Sequence, residues 1–298
     1  MKTYQLFFLS AAILLRFTCA CVAQPFTDIA SLNYQYHLPT KYQEPQTAQN
    51  RNLYFKSAEL LLPLSLGNGS YILAGGQYSR IDFGFDVGLR LSQGFNVAEG
   101  RVGCLYQWKN QKDKTLFLLI PKWAGEEKAF ASEYFQLGGV FLHTHQLSPD
   151  FSYKFGLYYN REFFGNFFMP LVGLEWQINE NLWLYGTLPG NLQLHKVLKP
   201  SLAVSLSYVS PSGSLLLENG SDYIRIGKSF PPNAVVSADL HWTIFSPVVL
   251  KASVGHSLWR SYGQYNAANE QYESGEYADY KDGFVLKASI VFRVLEKS

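Results

Sequence analysis

The sequence predicts an all-β fold, a closed antiparallel transmembrane β-barrel, and three observations support this prediction. Apolar and polar side chains alternate along many short segments. Aromatic residues make up 16% of the 298-residue chain and charged residues only 16%, against about 25% charged residues in an average soluble domain. Beyond an apolar N-terminal run, no stretch reaches the roughly 20 apolar residues of a transmembrane helix. A chain of this composition is expected to cross a membrane with strands.

The first 23 residues have the features of a signal peptide. Lys2 precedes the apolar run 6–15, and small residues end at Ala23 before Gln24, as expected ahead of a cleavage site. We therefore expect residues 1–23 to be removed and residues 24–298 to form a single barrel domain; an uncleaved N-terminal anchor is the alternative. The predicted mature chain keeps Cys104 as its one cysteine, so no intramolecular disulfide can stabilise it.

The last predicted strand, 284–294, has the clearest alternation of side chains. Its even-numbered residues are apolar, whereas Lys287, Ser289 and Arg293 lie among the odd-numbered ones. Successive side chains of a strand point to opposite faces, so one face of this strand is apolar and the other mostly polar. The same pattern occurs in segments 101–109, 168–178, 200–209 and 234–245. A soluble β-sandwich would show it too, and the connection lengths must decide between the two folds.

Short and long connections alternate along the chain. Short turn signals lie at 67–69, 110–113, 149–150, 179–181, 211–213 and 246–247, and longer polar links lie at 39–51, 83–98, 123–131, 161–167, 188–199, 229–233 and 260–282. Outer-membrane barrels have short periplasmic turns and longer outer loops. The pattern predicts 14 strands, or 12 if a hairpin within 200–228 is not part of the wall, with both termini on the periplasmic side. All six tryptophans fall near predicted strand ends, as interfacial aromatic girdles require.

Three segments carry a resemblance to a known family. Residues 58–64 (AELLLPL), residues 222–225 (DYIR) and the Gly-rich hairpin around 254–256 are similar to a family of uncharacterised outer-membrane β-barrel proteins from Gram-negative bacteria. The resemblance implies a fold and a location in the outer membrane, and no particular activity. The expected partners are outer-membrane lipid and lipopolysaccharide, with the barrel assembly machinery during biogenesis. Phe292 is followed by six further residues, whereas many such barrels end on an aromatic residue.

Seven charged residues are predicted to line the lumen: Arg101, Lys154, Glu175, Asp239, Lys251, Lys287 and Arg293. Because cations outnumber acids, one interpretation is a narrow, slightly anion-preferring channel. The other is a passive structural barrel, filled by its own paired side chains. Pairing of both Glu175 and Asp239 with cations would favour the filled barrel. A net charge of +2 gives no indication of a nucleic-acid partner, and we expect no cofactor.

Two groups of residues could support a lipid hydrolase or a metal site. His143 and His145 share one face of a strand and could bind a metal ion together with further ligands, although a pair of interfacial histidines is the favoured interpretation. His256 and Ser257 are adjacent and therefore point to opposite faces, so they cannot exchange a proton directly. The alternative hydrolase residues on the inward face are Ser205, Ser207, Ser237, Ser253 and His241. We expect a packed polar face and no catalysis.

The last outer loop, 261–282, supports a third hypothesis. Its acidic residues recur at every third position from Glu270 and alternate with tyrosines. Carboxylates could bind Ca²⁺ and tyrosines could stack on sugars, as in a surface adhesin or ligand-binding barrel. The spacing of an EF-hand is missing, and a solvated loop is the favoured interpretation.

Overall fold

The structure, a computed structural model, describes residues 26–41, 50–84, 94–126, 130–227, 233–272 and 282–295. The predicted signal peptide, 1–23, lies outside these residues. None of the helical structure within the described part of the chain is long and apolar enough to cross a membrane.

The described residues form 17 strands and one 3₁₀ turn at Ser132–Tyr134. The strands are β1 (Phe26–Lys41), β2 (Asn50–Gly67), β3 (Ser70–Gly84), β4 (Gly94–Gln107), β5 (Asp113–Glu126), β6 (Phe135–Ser148), β7 (Phe151–Glu162), β8 (Gly165–Asn179), β9 (Leu182–Leu188), β10 (Asn191–Lys199), β11 (Leu202–Val209), β12 (Gly213–Leu216), β13 (Tyr223–Ile226), β14 (Ala234–Phe245), β15 (Val248–Leu258), β16 (Tyr262–Tyr265) and β17 (Phe284–Leu295).

The wall is a closed antiparallel barrel. Each strand from β1 to β11 pairs with the next in sequence, β11 then pairs with β14, β14 with β15 and β15 with β17. The sheet closes where β17 pairs with β1, from Phe26 opposite Leu295 to His37 opposite Val285. Fourteen strands form this wall, which confirms the predicted fold class and strand count.

The two faces of the wall differ as the alternation predicts. On β17, Leu286, Ile290 and Phe292 are exposed on the outside, whereas Val291 and Arg293 are buried on the inside. Comparable rows of exposed apolar side chains continue onto the other wall strands. An apolar outer belt of this extent is the surface that lipid covers in a transmembrane barrel.

Tight turns mark one end of the barrel, which we call the inner end. They lie at 68–69, 108–112, 149–150, 180–181, 200–201 and 246–247. Most connections at the opposite, outer end are longer, but those at 163–164 and 189–190 have only two residues. The prediction of strictly alternating short and long connections is therefore wrong at these two turns. Segment 188–199 was expected to be a link, whereas residues 191–199 form β10, which is paired along both edges.

The expected inner turn at 211–213 is also wrong, because this segment lies in the outer connection between β11 and β14. Strands β12 and β13 have four residues each, and a strand needs about 9–11 residues to cross a bilayer. Their apolar side chains, including Leu215 and Ile224, are buried, so the hairpin folds into the barrel mouth. The count of 14 is retained because β10 takes the place of this hairpin in the wall.

Trp183 is the exception among the six end-placed tryptophans. It is the second residue of β9 and lies near the inner end, but its side chain points into the barrel and is buried. Trp108, Trp176, Trp242 and Trp259 are exposed, as the girdle prediction requires. The sequence places tryptophans near strand ends but does not distinguish a girdle from an internal contact.

Candidate functional site: the lumen and its two closures

The middle of the lumen contains a polar cavity of about 580 Å³, which we call the lumen cavity. Its lining combines hydroxyl and amide side chains with five charged residues, Glu59, Lys154, Asp239, Lys251 and Lys287. Three of these are lysines and two are acids. The cavity exists because inward positions on β1, β14, β15 and β17 carry small polar residues, such as Ser253 and Ser289, rather than large apolar ones.

The seven charged residues predicted to line the lumen all lie at inward-facing positions, and three of the cations are paired. Arg101 forms ion pairs with Glu59 and with Glu99, the latter at 2.9 Å. Lys154 Nζ lies 2.6 Å from Glu175 Oε1. Arg293 Nε lies 2.6 Å from Asp28 Oδ1 at the inner end. These pairs fix their side chains against the wall.

The remaining three charges differ from this pattern. Asp239 accepts hydrogen bonds from the hydroxyls of Ser207 and Ser237, and no cation among the described residues lies within ion-pair distance of it. Lys251 and Lys287 form neither an ion pair nor a hydrogen bond within the described part of the chain. Glu175 therefore meets a cation and Asp239 does not, so the pairing that would indicate a filled barrel is incomplete. The two unpaired ammonium groups face the lumen cavity.

The outer mouth is closed by residues 213–226, which we call the plug hairpin. Leu215, Leu217 and Ile224 pack against wall residues such as Phe83 and Phe95 in one buried apolar cluster. The ring of Tyr262 from β16 makes an edge contact with Phe83, at 5.6 Å between centroids. Strand β16 pairs with β13 along four residues, so the last outer loop contributes a third strand to the closure.

A buried polar network fixes the plug hairpin to the wall. The Glu162 carboxylate accepts hydrogen bonds from the Ser214 backbone N–H at 2.8 Å and its hydroxyl at 2.6 Å. It also accepts one from Asn160 Nδ2 at 2.6 Å and lies 3.3 Å from Lys122 Nζ. Gln136 Nε2 donates to the Ser214 carbonyl oxygen at 3.3 Å. Polar contacts of this kind are specific in direction, so they define one position of the hairpin.

The described part of the 261–282 loop packs into the mouth rather than standing free. Tyr265 stacks on Tyr223, with ring centroids 5.5 Å apart, and burial raises the pKa of Tyr262. The Tyr272 hydroxyl donates to Asp222 at 3.0 Å, and this hydrogen bond raises the pKa of Tyr272. Glu270 accepts a hydrogen bond from Asn266. The acidic residues within 273–281, on which the Ca²⁺ hypothesis depends, lie outside the described residues.

An aromatic and basic cluster closes part of the inner end. Phe26, Trp183 and Tyr185 pack together, and the guanidinium carbon of Arg293 lies 3.5 Å from the centroid of the Phe26 ring. The cluster connects β1 and β17 with β9 and β10, and β11, β14 and β15 lie between these two pairs in the wall. It therefore covers the inner end of this half of the barrel. On the opposite side, a second polar cavity of about 280 Å³ lies beside the turn at 108–112. Lys154 lines both cavities, which places its ion pair with Glu175 between the inner end and the lumen cavity.

Ser205 and His241, two of the proposed hydrolase residues, are in direct contact. Ser205 Oγ lies 2.8 Å from His241 Nε2 and 2.9 Å from His195 Nδ1, and it accepts a hydrogen bond from Gln193. Arg293 contacts His241 Nδ1 and can only donate, so the His241 proton is on Nε2 and points at Ser205. A hydrolase histidine must instead accept the serine proton. His195 occupies the accepting position, but the cluster is buried behind Trp183 and Phe26, which favours a structural role.

The two remaining histidine groups lie near opposite ends of the barrel. His143 and His145 share one face of β6, as predicted, and the structure shows that this is the outward face. Asp113 lies between them, 2.6 Å from His145 Nδ1. No group of metal-binding side chains with suitable geometry occurs among the residues that the structure describes. His256 and Ser257 point to opposite faces, as predicted. Ser257 Oγ accepts from Arg260 and contacts Asp282, so it orients the ends of the last outer loop.

The sequence does not identify the plug hairpin or its anchoring network. Glu162 and Lys122 are 40 positions apart and Ser214 is a further 52 residues along the chain, so only the folded barrel brings them together. One signal was available. The apolar run 215–217 lies between Gly213 and the turn at 218–221, which is too short for a wall strand.

Comparisons with known proteins support the fold. No family model and no curated protein matches the sequence. The structure is similar to a crystal structure of an outer-membrane channel from Pseudomonas putida F1, with a TM-score of 0.50 and 9% sequence identity over 91% of this chain and 97% of the other. Weaker likenesses include a NanC porin, with a TM-score of 0.40 and 6% identity over 89% and 100% of the two chains. A mutant of the TodX monoaromatic hydrocarbon channel has a TM-score of 0.40 and 10% identity over 95% and 94%.

Proposed function

We propose that this protein is a narrow channel of the bacterial outer membrane, with its tight turns in the periplasm and its outer mouth closed by the plug hairpin. The lumen cavity carries the proposal. It is polar, has a volume of about 580 Å³, and is covered on the outside by an inserted hairpin rather than by the wall. A barrel that served only as a structural element would have no need of an unfilled polar interior.

The lumen charges support a preference for anions. Lys251 and Lys287 have no acidic partner within ion-pair distance among the described residues, and Asp239 is the acid nearest to them along the paired strands. Charged side chains that line a pore select ions of the opposite sign. A solute that enters from the inner end passes the fixed Lys154–Glu175 pair before it reaches the two free ammonium groups. Small anions are therefore the expected permeant class.

Single-channel recording of the refolded protein in planar bilayers tests the proposal. We expect the intact protein to show small or infrequent current steps, and a variant with residues 211–228 replaced by a short Gly-Ser turn to show steps several times larger. A hairpin-deleted barrel that refolds, shifts on heating in gels and yet passes no current would refute the channel and leave the passive structural barrel.

Ion selectivity provides the second test. In a salt gradient, the K251Q/K287Q double variant of the hairpin-deleted barrel should lose its anion preference. Its reversal potential should therefore move away from the equilibrium potential of the anion and towards that of the cation. Lys196→Gln is the matched control, because Lys196 is an exposed lysine of β10 at an outward position. Equal shifts in the control and the double variant would contradict the assigned role. Fractionation of the host membrane, with the protein in the outer-membrane fraction, tests the location.

A further inference from the structure

The outward face of the wall contains an apolar depression that no part of the proposed channel uses. It has a volume of about 860 Å³ and extends across the outward sides of β14, β15, β17, β1, β2 and β3. Strand pairing places its lining in two adjacent rows that run across these strands. The first row is Leu240, Ala252, Ala288, Tyr34, Lys56 and Arg80, each paired with the next.

The depression is a trough because the second and third members of the first row are small. Ala252 and Ala288 form the floor there. On one side they are bordered by Leu250 and Ile290, and on the other by Val254 and Leu286, two residues along the same strands. Because alanine is smaller than these neighbours, the outer surface is lower along Ala252 and Ala288 than along the residues on either side.

The trough has a direction relative to the membrane. At its β14 end Trp242 lies three residues from the inner end of that strand, whereas at its β3 end Arg80 lies four residues from the outer end. Six neighbouring strands span five spacings of about 4.8 Å, which gives a length of about 24 Å. Half of a hydrocarbon core of about 30 Å is about 15 Å, so an oblique trough of this length accommodates an acyl chain of one leaflet.

The outer end of the trough carries the positive charge. Lys56 and Arg80 are adjacent on paired strands and both contact Asp82, at 3.2 and 2.8 Å. Their side chains remain about half exposed, at 57% and 44%. Two cations share one acid, which leaves a net positive charge. Lys56 meets a partner among the described residues with only one of its three N–H donors.

Aromatic residues place these cations at the level of lipid head groups. Tyr36 and Tyr54 stack at 4.9 Å on the outward face beside Tyr34, and Tyr78 donates to Asn96 at 2.7 Å next to Arg80. Tyrosine rings of this kind mark the interface of a transmembrane barrel. The site therefore presents cations at the interface and an apolar trough below them, the complement of a phosphorylated acylated lipid.

We propose that the trough is a specific binding site for lipid A of lipopolysaccharide, with a phosphate on Lys56 and Arg80 and an acyl chain over Ala252 and Ala288. The outer end faces the leaflet that contains this glycolipid, and that choice of lipid rests on the proposed outer-membrane location. Two parts of the proposal depend on the structure alone: the cations match a phosphorylated head group, and the trough matches an acyl chain.

Native mass spectrometry of the full-length protein, refolded in detergent and supplied with lipid A, phosphatidylglycerol or phosphatidylcholine, tests the site. We expect retention of one lipid A per protein and little retention of the other two. K56Q/R80Q should weaken retention about tenfold, because each basic residue near an anionic head group contributes several-fold to affinity. A252L/A288L should abolish retention while leaving the charges in place.

Matched variants outside the trough serve as controls. Arg161→Gln removes an outward cation near the outer end of β7, and Ala74→Leu enlarges an outward alanine of β3; both should retain lipid A as the unmodified protein does. Equal losses in control and trough variants, or a preference for phosphatidylglycerol over lipid A, would overturn the proposal. No step measures current, so a barrel that is silent in bilayers but retains lipid A would refute only the channel.

Discussion

Replacement of Glu162 by alanine is expected to release the plug hairpin from the barrel mouth. The Glu162 side chain is only 2% exposed and joins the wall to the hairpin through Ser214. It also contacts Asn160 of its own strand, β7, and Lys122 of β5, two strands away. Alanine removes all of these contacts and leaves the Lys122 ammonium group buried without its carboxylate. When the hairpin leaves the mouth, water reaches Lys122, so the substitution destabilises the closed state more than the open one.

The magnitude follows from the energetics of buried ion pairs. Removal of one partner of such a pair costs about 3–5 kcal/mol, and a hydrogen bond to a charged group contributes about 1.5–3 kcal/mol. A shift of about 3–5 kcal/mol between the closed and open states changes their ratio by roughly 10²- to 5 × 10³-fold, since 1.36 kcal/mol is a factor of about ten. The hairpin still buries Leu215, Leu217 and Ile224, so we expect an enlarged open population rather than complete release.

Amide hydrogen exchange measures this population directly, because protected amides exchange through local opening. In the refolded protein, peptides from 213–226 should exchange roughly 10²- to 5 × 10³-fold faster in Glu162→Ala than in the parent, while peptides from β1 and β17 should be unchanged. Glu175→Ala is the control, since it breaks a lumen ion pair of 2.6 Å that is remote from the hairpin. Leu215→Ala should reproduce the effect by loss of apolar burial. Unchanged hairpin exchange in both Glu162→Ala and Leu215→Ala would refute the reasoning.

Two further predictions concern the wall. Lipids with brominated acyl chains should quench the fluorescence of Trp176 and Trp242, which are exposed on the outward face, but not that of Trp183, which is buried inside the barrel. If Trp183→Phe rather than Trp242→Phe removed the quenchable emission, the assigned orientation would be contradicted. Gly103→Leu should reduce the yield of folded, heat-modifiable barrel on gels, because a Cβ at this inward position collides with the Phe117 carbonyl oxygen of the paired strand. Gly190→Ala is its control, since there the nearest atom is 3.3 Å from an added Cβ, and an equal loss in both variants would argue against the close approach.

The fold of the wall could be predicted because its determinants are local. The alternation of Leu286, Ile290 and Phe292 with Lys287 and Ser289 follows from the period of a strand, whatever its partners are. The same rule places Arg101, Lys154, Glu175, Asp239, Lys251, Lys287 and Arg293 at inward positions. Closure with 14 strands then follows from the number of alternating segments and the tight turns between them.

The wrong predictions concern short segments whose composition is compatible with two kinds of structure. Residues 191–199 contain Lys196, Lys199 and His195 and have the polarity of a loop, yet His195 is buried in the lumen and Lys196 lies at an outward position. Residues 213–226 are apolar enough for a wall strand, but β12 and β13 are too short to span the bilayer. Pairing partners decide both cases, and pairing is not encoded within the segment.

The sequence by itself determined that this chain forms a membrane-spanning barrel and which side chains face lipid or lumen, because strand periodicity is a property of the backbone. Only the tertiary structure decided whether the lumen is filled, covered or lined by free charge. Glu162 and Ser214 meet across 52 residues of sequence, and the trough from Leu240 to Arg80 exists only after β17 has paired with both β1 and β15. Contacts between distant strands depend on closure and register of the sheet, which no local pattern of residues records.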